Sequence, residues 1–139
     1  MKQRLFLDTN IILDLLGERI PFYEPIARVA SLADTGKITL AASGISYATS
    51  SYILSKYEPQ ARVIDKLRKF KVISEVCPVD EVVIEKALNS NFPDFEDALQ
   101  YFSALKAGCQ IILSRNARDF KASEIPVVTA EEYLMSLKK

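Results

Sequence analysis

Histidine is absent from all 139 residues, and this absence excludes whole classes of chemistry. No Ser-His-Asp triad and no Cys-His pair can be assembled, and the usual zinc sets lose a standard donor. Chemistry near neutral pH is left to carboxylates, lysines, hydroxyls or a cofactor, and oxygen-rich sites favour hard cations such as magnesium or manganese. Cysteine is scarce: Cys77 and Cys109 have neither zinc-site nor redox-motif spacing. They read as small buried apolar residues in a reducing compartment. Long apolar runs are missing, so no membrane partner is expected. The opening Met1-Lys2-Gln3-Arg4 leads into a strand-like stretch and an acid, unlike a signal peptide, so a cytoplasmic location is expected. A charge excess is lacking too, with 18 basic residues against 18 acidic. Any contact with nucleic acid must therefore come from a local basic cluster.

What remains is a globular composition, 49% apolar and 26% charged, at a length that suits a single domain over 1–139. Leu5-Phe6-Leu7 is a short apolar run ending in Asp8-Thr9-Asn10, the pattern of a buried parallel strand followed by a helix start. Helices are expected over 11–16 and 22–34, the second with Phe22, Ile26, Val29, Ala30 and Ala33 on one stripe. A strand over 38–42 follows, then helices over 46–56 and 59–70, and a third strand at Val72-Ile73 or near Val76. Asp80 reads as the N-cap of a helix ending near Asn89. A helix from about Asp94 to Ala107 ends at Gly108. Strands at 110–113 and 127–128 and a helix over 131–137 complete the chain. Strands alternating with helices imply an α/β fold, a three-layer α/β/α arrangement around a parallel sheet of four to five strands.

In such sheets ligands bind beyond the carboxyl ends of the strands. Asp8 ends the first strand, Ser114, Asn116 and Asp119 follow the strand at 110–113, and Asp97 lies at the start of the helix preceding that strand. Topology thus delivers Asp8, Asp97 and Asp119 to one rim, with Asp94 as a further candidate. Each has an ordinary local use: Asp8 or Thr9 as a helix cap, Asp94 and Asp97 as a capping pair, Asp119 as a turn residue. Gathered together they repel unless a cation neutralises them. Magnesium suits such a site, because it binds a few carboxylates and keeps water or phosphate oxygens elsewhere.

The stretches Leu7-Asp8-Thr9-Asn10-Ile11-Ile12-Leu13-Asp14, Phe95-Glu96-Asp97-Ala98-Leu99 and Leu113-Ser114-Arg115-Asn116-Ala117-Arg118-Asp119-Phe120 resemble, in order and spacing, the opening, central and closing motifs of PIN domains. The resemblance implies a Mg2+- or Mn2+-dependent ribonuclease acting on RNA. It also implies a toxin of the VapC-like kind, held by a small antitoxin protein and assembled as a homodimer. It makes Asp8, Asp97 and Asp119 metal-binding or catalytic acids, with Thr9, Asn116 and Ser114 as supporting polar residues. One position departs: the family commonly carries a glutamate on the helix after strand two, and Thr49 or Ser50 stands there instead. Asp94 and Glu96 are candidates to compensate, while Asp14 is assigned to surface or interface.

Arg115 and Arg118, beside the proposed site, are expected to hold a phosphate of the RNA. Arg62, Lys66 and Lys69 share a helix face, the pattern of a solvated face or of a phosphate-tracking stripe. Tyr47 and Tyr52 are candidates to stack bases, with core or interface packing the more frequent use of such aromatics. Two competing readings are a degenerate PIN domain that binds RNA or protein without catalysis, and an aspartate-nucleophile phosphatase. The phosphatase lacks its second acid two residues on, where Asn10 stands.

Overall fold

A computed structural model describes residues 2–138. Five parallel strands form one sheet in the order β3-β2-β1-β4-β5. They are β1 (Arg4–Leu7), β2 (Thr39–Ser43), β3 (Ser74–Cys77), β4 (Ile111–Leu113) and β5 (Val127–Val128). The helices between them are α1 (Thr9–Leu16), α2 (Tyr23–Asp34), α3 (Gly44–Leu54), α4 (Gln60–Val72), α5 (Glu81–Leu88), α6 (Phe95–Lys106) and α7 (Ala130–Ser136). The α/β expectation and the upper strand count both hold.

Alternation along β1 explains the layers, since successive side chains of a strand point to opposite faces. Leu5 and Leu7 join a core with Ile12, Ile26, Val29, Leu40, Val63 and Tyr133, drawn from α1, α2, β2, α4 and α7. Phe6 faces the other way, against Ala41, Ile112, Tyr101 and Ala104, beneath α6. Being covered on both faces is why β1 reads as an unbroken apolar run rather than an alternating one. Cys77 and Cys109 are buried free thiols. Among the described residues no helix is long and apolar enough to cross a membrane.

Two expectations shift. Val72 belongs to the end of α4, and the third strand begins at Ser74, so Val76, not Val72-Ile73, marked it. Phe22 does not join the buried stripe of α2, where Ile26 and Val29 are the buried residues; it precedes the helix and is 41% exposed.

The chain moves outward from β1 through β2 and β3, then returns to the opposite side of β1 for β4 and β5. The reversal falls between β1 and β4, which pair through Leu5↔Ile111, Phe6↔Ile112 and Leu7↔Leu113. That is the switch point where the first turns of two crossovers diverge and leave a crevice at the carboxyl edge. Phe6, wholly buried in the central strand, should be among the costliest side chains to truncate. Phe6→Ala is expected to lower unfolding free energy by about 3–5 kcal/mol in a urea melt; a loss below about 1 kcal/mol would contradict this packing.

Candidate active site

Asp8 stands directly after β1 and is 8% exposed. Its backbone N–H donates to the Leu113 carbonyl at 3.0 Å, extending the β1–β4 ladder by one residue. Its side chain caps α1, accepting from Thr9 N–H at 2.9 Å on Oδ1. On Oδ2 it accepts from the Ser114 hydroxyl at 2.8 Å and more distantly from Asn10 Nδ2 at 3.4 Å. The hydroxyl bond spans the switch point, joining the ends of β1 and β4. Burial pushes the Asp8 carboxyl above its ordinary range, opposed by the Ser114 and Thr9 donors and reinforced by the charge of Asp119.

Asp94 caps α6 by accepting from Asp97 N–H at 2.9 Å, so the ordinary capping role and the rim position coexist. Asp97 projects from the first turn of that helix. Its carboxyl is pushed up to about 7, first by partial burial and then by the charges of Asp94, Asp8, Asp119 and Glu96. Asp119 lies on the short 3₁₀ turn Ala117–Phe120, anchored by its N–H donating to the Asn116 carbonyl at 2.9 Å. The structure therefore brings Asp8, Asp97 and Asp119 into one field, with Asp94 and Glu96 beside Asp97.

The chemistry of this donor set is that of ligands to a hard cation. All the donors are oxygens, and partial burial together with the acidic neighbours pushes the Asp97 carboxyl up to about 7, a position that a nearby cation would relieve. Among the described residues no three Cys, Asp or Glu side chains lie close enough to close around an ion directly. An ion that retains much of its water shell, as magnesium does, suits this looser spacing.

Beneath the acids lies a neutral network that the sequence reading did not assign. Ser43, Ser46 and Gln100 are buried. The Ser43 hydroxyl donates to Gln100 Oε1, Gln100 Nε2 donates to Ser46 Oγ at 2.6 Å, and Ser46 Oγ meets Thr9 Oγ1 at 2.8 Å. Thr9 is thereby fixed from α3 and α6 together. The hydroxyl of α3 that reaches Thr9 is Ser46, not Thr49 or Ser50. A concentration of serines in a helix start was the available signal, but it did not identify their partner.

Two assignments change. Asp14 is not a surface residue: it is 1% exposed and accepts from Arg115 Nε at 2.7 Å and Nη2 at 3.1 Å. Arg19 Nε adds a third bond at 3.0 Å. Arg115 accordingly has its guanidinium on Asp14 and over the Phe22 ring, 3.9 Å from its centroid, rather than free for a phosphate. Tyr47 packs on Phe70, with ring centroids 5.7 Å apart, and its hydroxyl meets Ser74 Oγ at 3.1 Å, so it is a core residue. Arg118 is exposed and forms no ion pair among the described residues. The stripe of Arg62, Lys66 and Lys69 is neutralised by Glu58 and Asp65, the solvated-face arrangement. Tyr52 stays exposed, with Lys56 Nζ 4.7 Å from its ring centroid.

A cavity of about 240 Å³ is lined by residues including Ile11, Phe22, Ile26 and Arg115, and by none of the three acids. An open acidic rim at the switch point of a parallel sheet suits a polymer laid across it more than an enclosed metabolite. Fold and rim together define a carboxylate-bearing α/β domain with its acids at the β1/β4 crevice. The PIN domain family profile matches residues 4–118, ending one residue before Asp119, and the chain belongs to that family. Ribonuclease VapC1 of Aquifex aeolicus is 32% identical over 136 residues, covering 94% of this chain and 93% of that protein. Among solved structures, VapBC2 from Rickettsia felis bound to a promoter DNA fragment aligns with a TM-score of 0.66 at 19% identity, covering 91% of this chain and 97% of that one. VapC20 of Mycobacterium tuberculosis, a sarcin-ricin loop cleaving toxin, also aligns at 0.66, with 15% identity, covering 85% of this chain and 94% of that one. These two likenesses are of fold.

The acidic field has a measurable cost in metal-free protein. A carboxyl held near 7 when folded, against an ordinary 3.8, favours folding fully below about pH 4, and that contribution is lost as pH rises through about 7. Asp97→Asn should therefore stabilise the chelator-treated protein by on the order of 1 kcal/mol at pH 8, allowing for solvent screening of a half-exposed group. The gain should shrink towards zero near pH 3.5. A mutant equally or less stable at pH 8 would contradict the crowding of charge described above.

Proposed function

We propose that this chain is a divalent-metal-dependent endoribonuclease, the toxin of a toxin–antitoxin pair. The observation that carries the reading is the convergence of Asp8, Asp97 and Asp119 at the β1/β4 crevice, where partial burial first and the charges of its acidic neighbours second push the Asp97 carboxyl up to about 7. The similarity to Ribonuclease VapC1 and the whole-chain fold likeness to VapBC2 support it.

Asp8, Asp97 and Asp119 are the residues that would hold magnesium or manganese, with Asp94 as an outlying acid. Such an ion, when bound, lowers the pKa of a water and stabilises charge on the phosphodiester oxygens. The protein's own contribution is orientation. Ser114 donates to Asp8 Oδ2 and leaves the carboxylate aimed from a fixed rotamer, while Thr9 N–H holds the other oxygen. Asn116 begins the turn that presents Asp119. Thr9, supported through Ser46 and Gln100, keeps the start of α1 from moving when a polyanion enters. Arg118, exposed on the Asp119 turn, is the side chain best placed to meet RNA phosphate.

A small antitoxin protein is the proposed regulatory partner, and a homodimer the proposed assembly, both on the similarity to the VapBC proteins. A second reading has one observation in its favour. Where relatives commonly carry an acid, α3 presents only the hydroxyls Thr49 and Ser50, and a domain with this loss would bind RNA without cutting it.

Purified protein freed of partners should cleave labelled single-stranded RNA with Mg2+ or Mn2+ and not with chelator. Asp97→Asn should lower the rate on the order of 100-fold or more, as loss of a transition-state interaction does. Wild type and mutant behaving alike would hand the site to the non-catalytic reading. In the same preparation Arg118→Ala should weaken RNA binding and reduce the slope of log affinity against log salt by about 1; an unchanged slope would remove Arg118 from the interface.

A further inference from the structure

Asp14 is a buried carboxylate with two arginines. One cation is enough to neutralise it, and Arg19 supplies that locally: Arg19 N–H bonds the Asp14 carbonyl at 3.0 Å, and its guanidinium reaches the carboxylate at 3.0 Å. Arg115 comes from 101 residues away and grips the same carboxylate with two parallel N–H groups. Phe22 covers the guanidinium plane at 3.9 Å. A bidentate fork stacked on a ring fixes orientation as well as charge.

Arg115 sits within the turn that carries partners of the acids. Arg115 N–H lies 3.4 Å from Asn10 Oδ1. The residue before it, Ser114, donates to Asp8. The residue after it, Asn116, donates its N–H to Ser114 Oγ at 3.0 Å and accepts from Asp119 N–H. Arg115 thus ties this turn to the buried Asp14 of α1, as Ser114 ties it to Asp8, and the two residues flanking Arg115 address two of the three acids.

We infer that Asp14, Arg115 and Phe22 form a brace that positions the Ser114–Asn116 turn, so that Arg115 is a positioning residue for the proposed reaction and not a phosphate ligand. The inference rests on the nuclease reading for its kinetic readout, and on the acidic rim alone for its metal-binding readout. Arg115→Lys keeps the charge and removes the fork. It should lower kcat on labelled single-stranded RNA about tenfold, with KM changing less than about twofold, because positioning acts on the reacting geometry more than on uniform binding. It should also weaken Mn2+ binding to the chelator-treated protein by about threefold or more in calorimetry, as displaced supporting groups do at metal sites. Arg19→Lys, which weakens the other partner of the same carboxylate, should leave both quantities within about twofold of wild type.

Equal losses in the two lysine variants, or a fall in kcat only in proportion to the fraction folded, would overturn the brace and leave a purely structural ion pair. If Arg115→Lys fails to fold, Phe22→Leu keeps the ion pair and loosens its stack. A soluble, folded Phe22→Leu protein should lose about threefold in kcat; unchanged kcat and unchanged Mn2+ affinity would overturn the inference. Should wild type bind Mn2+ but cut no RNA, the nuclease reading fails and the Mn2+ comparison of the lysine variants alone decides the brace. Wild type that does neither overturns both.

Discussion

The Asp8 carboxylate has to remain in place where water is largely excluded, at the point where the sheet reverses direction. Its N–H continues the ladder to β4, its carbonyl starts the hydrogen bonding of α1, and its side chain bridges to Ser114. Strand end, helix start and the far side of the crevice meet in one residue. A buried carboxylate is tolerated only when its oxygens are bonded, so the geometry of the crevice and the survival of the charge depend on each other. The neutral network of Thr9, Ser46, Gln100 and Ser43 extends this support without adding charge next to an acid already short of compensation.

The same constraint explains the division of labour among charges. Positive side chains near the rim are not spread evenly to cancel the acids. Arg19 and Arg115 are committed to Asp14, while Asp97, partly buried and among acidic neighbours, has its carboxyl pushed up to about 7. Such an arrangement is poor for the stability of the chain by itself and good for capturing a hard cation. Folding stability and function therefore draw on the rim in opposite directions. The buried core on both faces of β1 supplies the margin.

Much of this could be read from the sequence because its signals are local. The run Leu5-Phe6-Leu7 ending in Asp8 located the central strand and its functional end, and Asp94 at the start of α6 located Asp97 on the rim. Order along the chain then placed the Asp119 turn beside them. What escaped depended on partners distant in sequence. Nothing near Asp14 indicates that Arg115 will neutralise it, so helical geometry alone sent it to the surface. The partners of Ser43 and Ser46 meet at Gln100, more than fifty residues on, in a helix whose apolar pattern gave no reason to single out a glutamine. The α4 stripe left two readings open, and the solvated face is decided by Glu58, which lies outside that helix and whose reach to Arg62 and Lys66 is a fact of tertiary structure. Tyr47 was ambiguous for the same reason, since a helix face is assigned by what covers it.

The three rim aspartates are proposed as a cation site, one of whose acids, Asp97, has its carboxyl pushed up to about 7 in metal-free protein. Calorimetric titration of Mn2+ into chelator-treated protein at pH 6, repeated in buffers of different ionisation enthalpy, reads binding and proton release together. Saturable binding is expected to release on the order of one proton at pH 6 and much less at pH 8.5, where a group with pKa near 7 is already ionised. No binding at millimolar Mn2+, or binding with no difference in proton release between the two pH values, would contradict it.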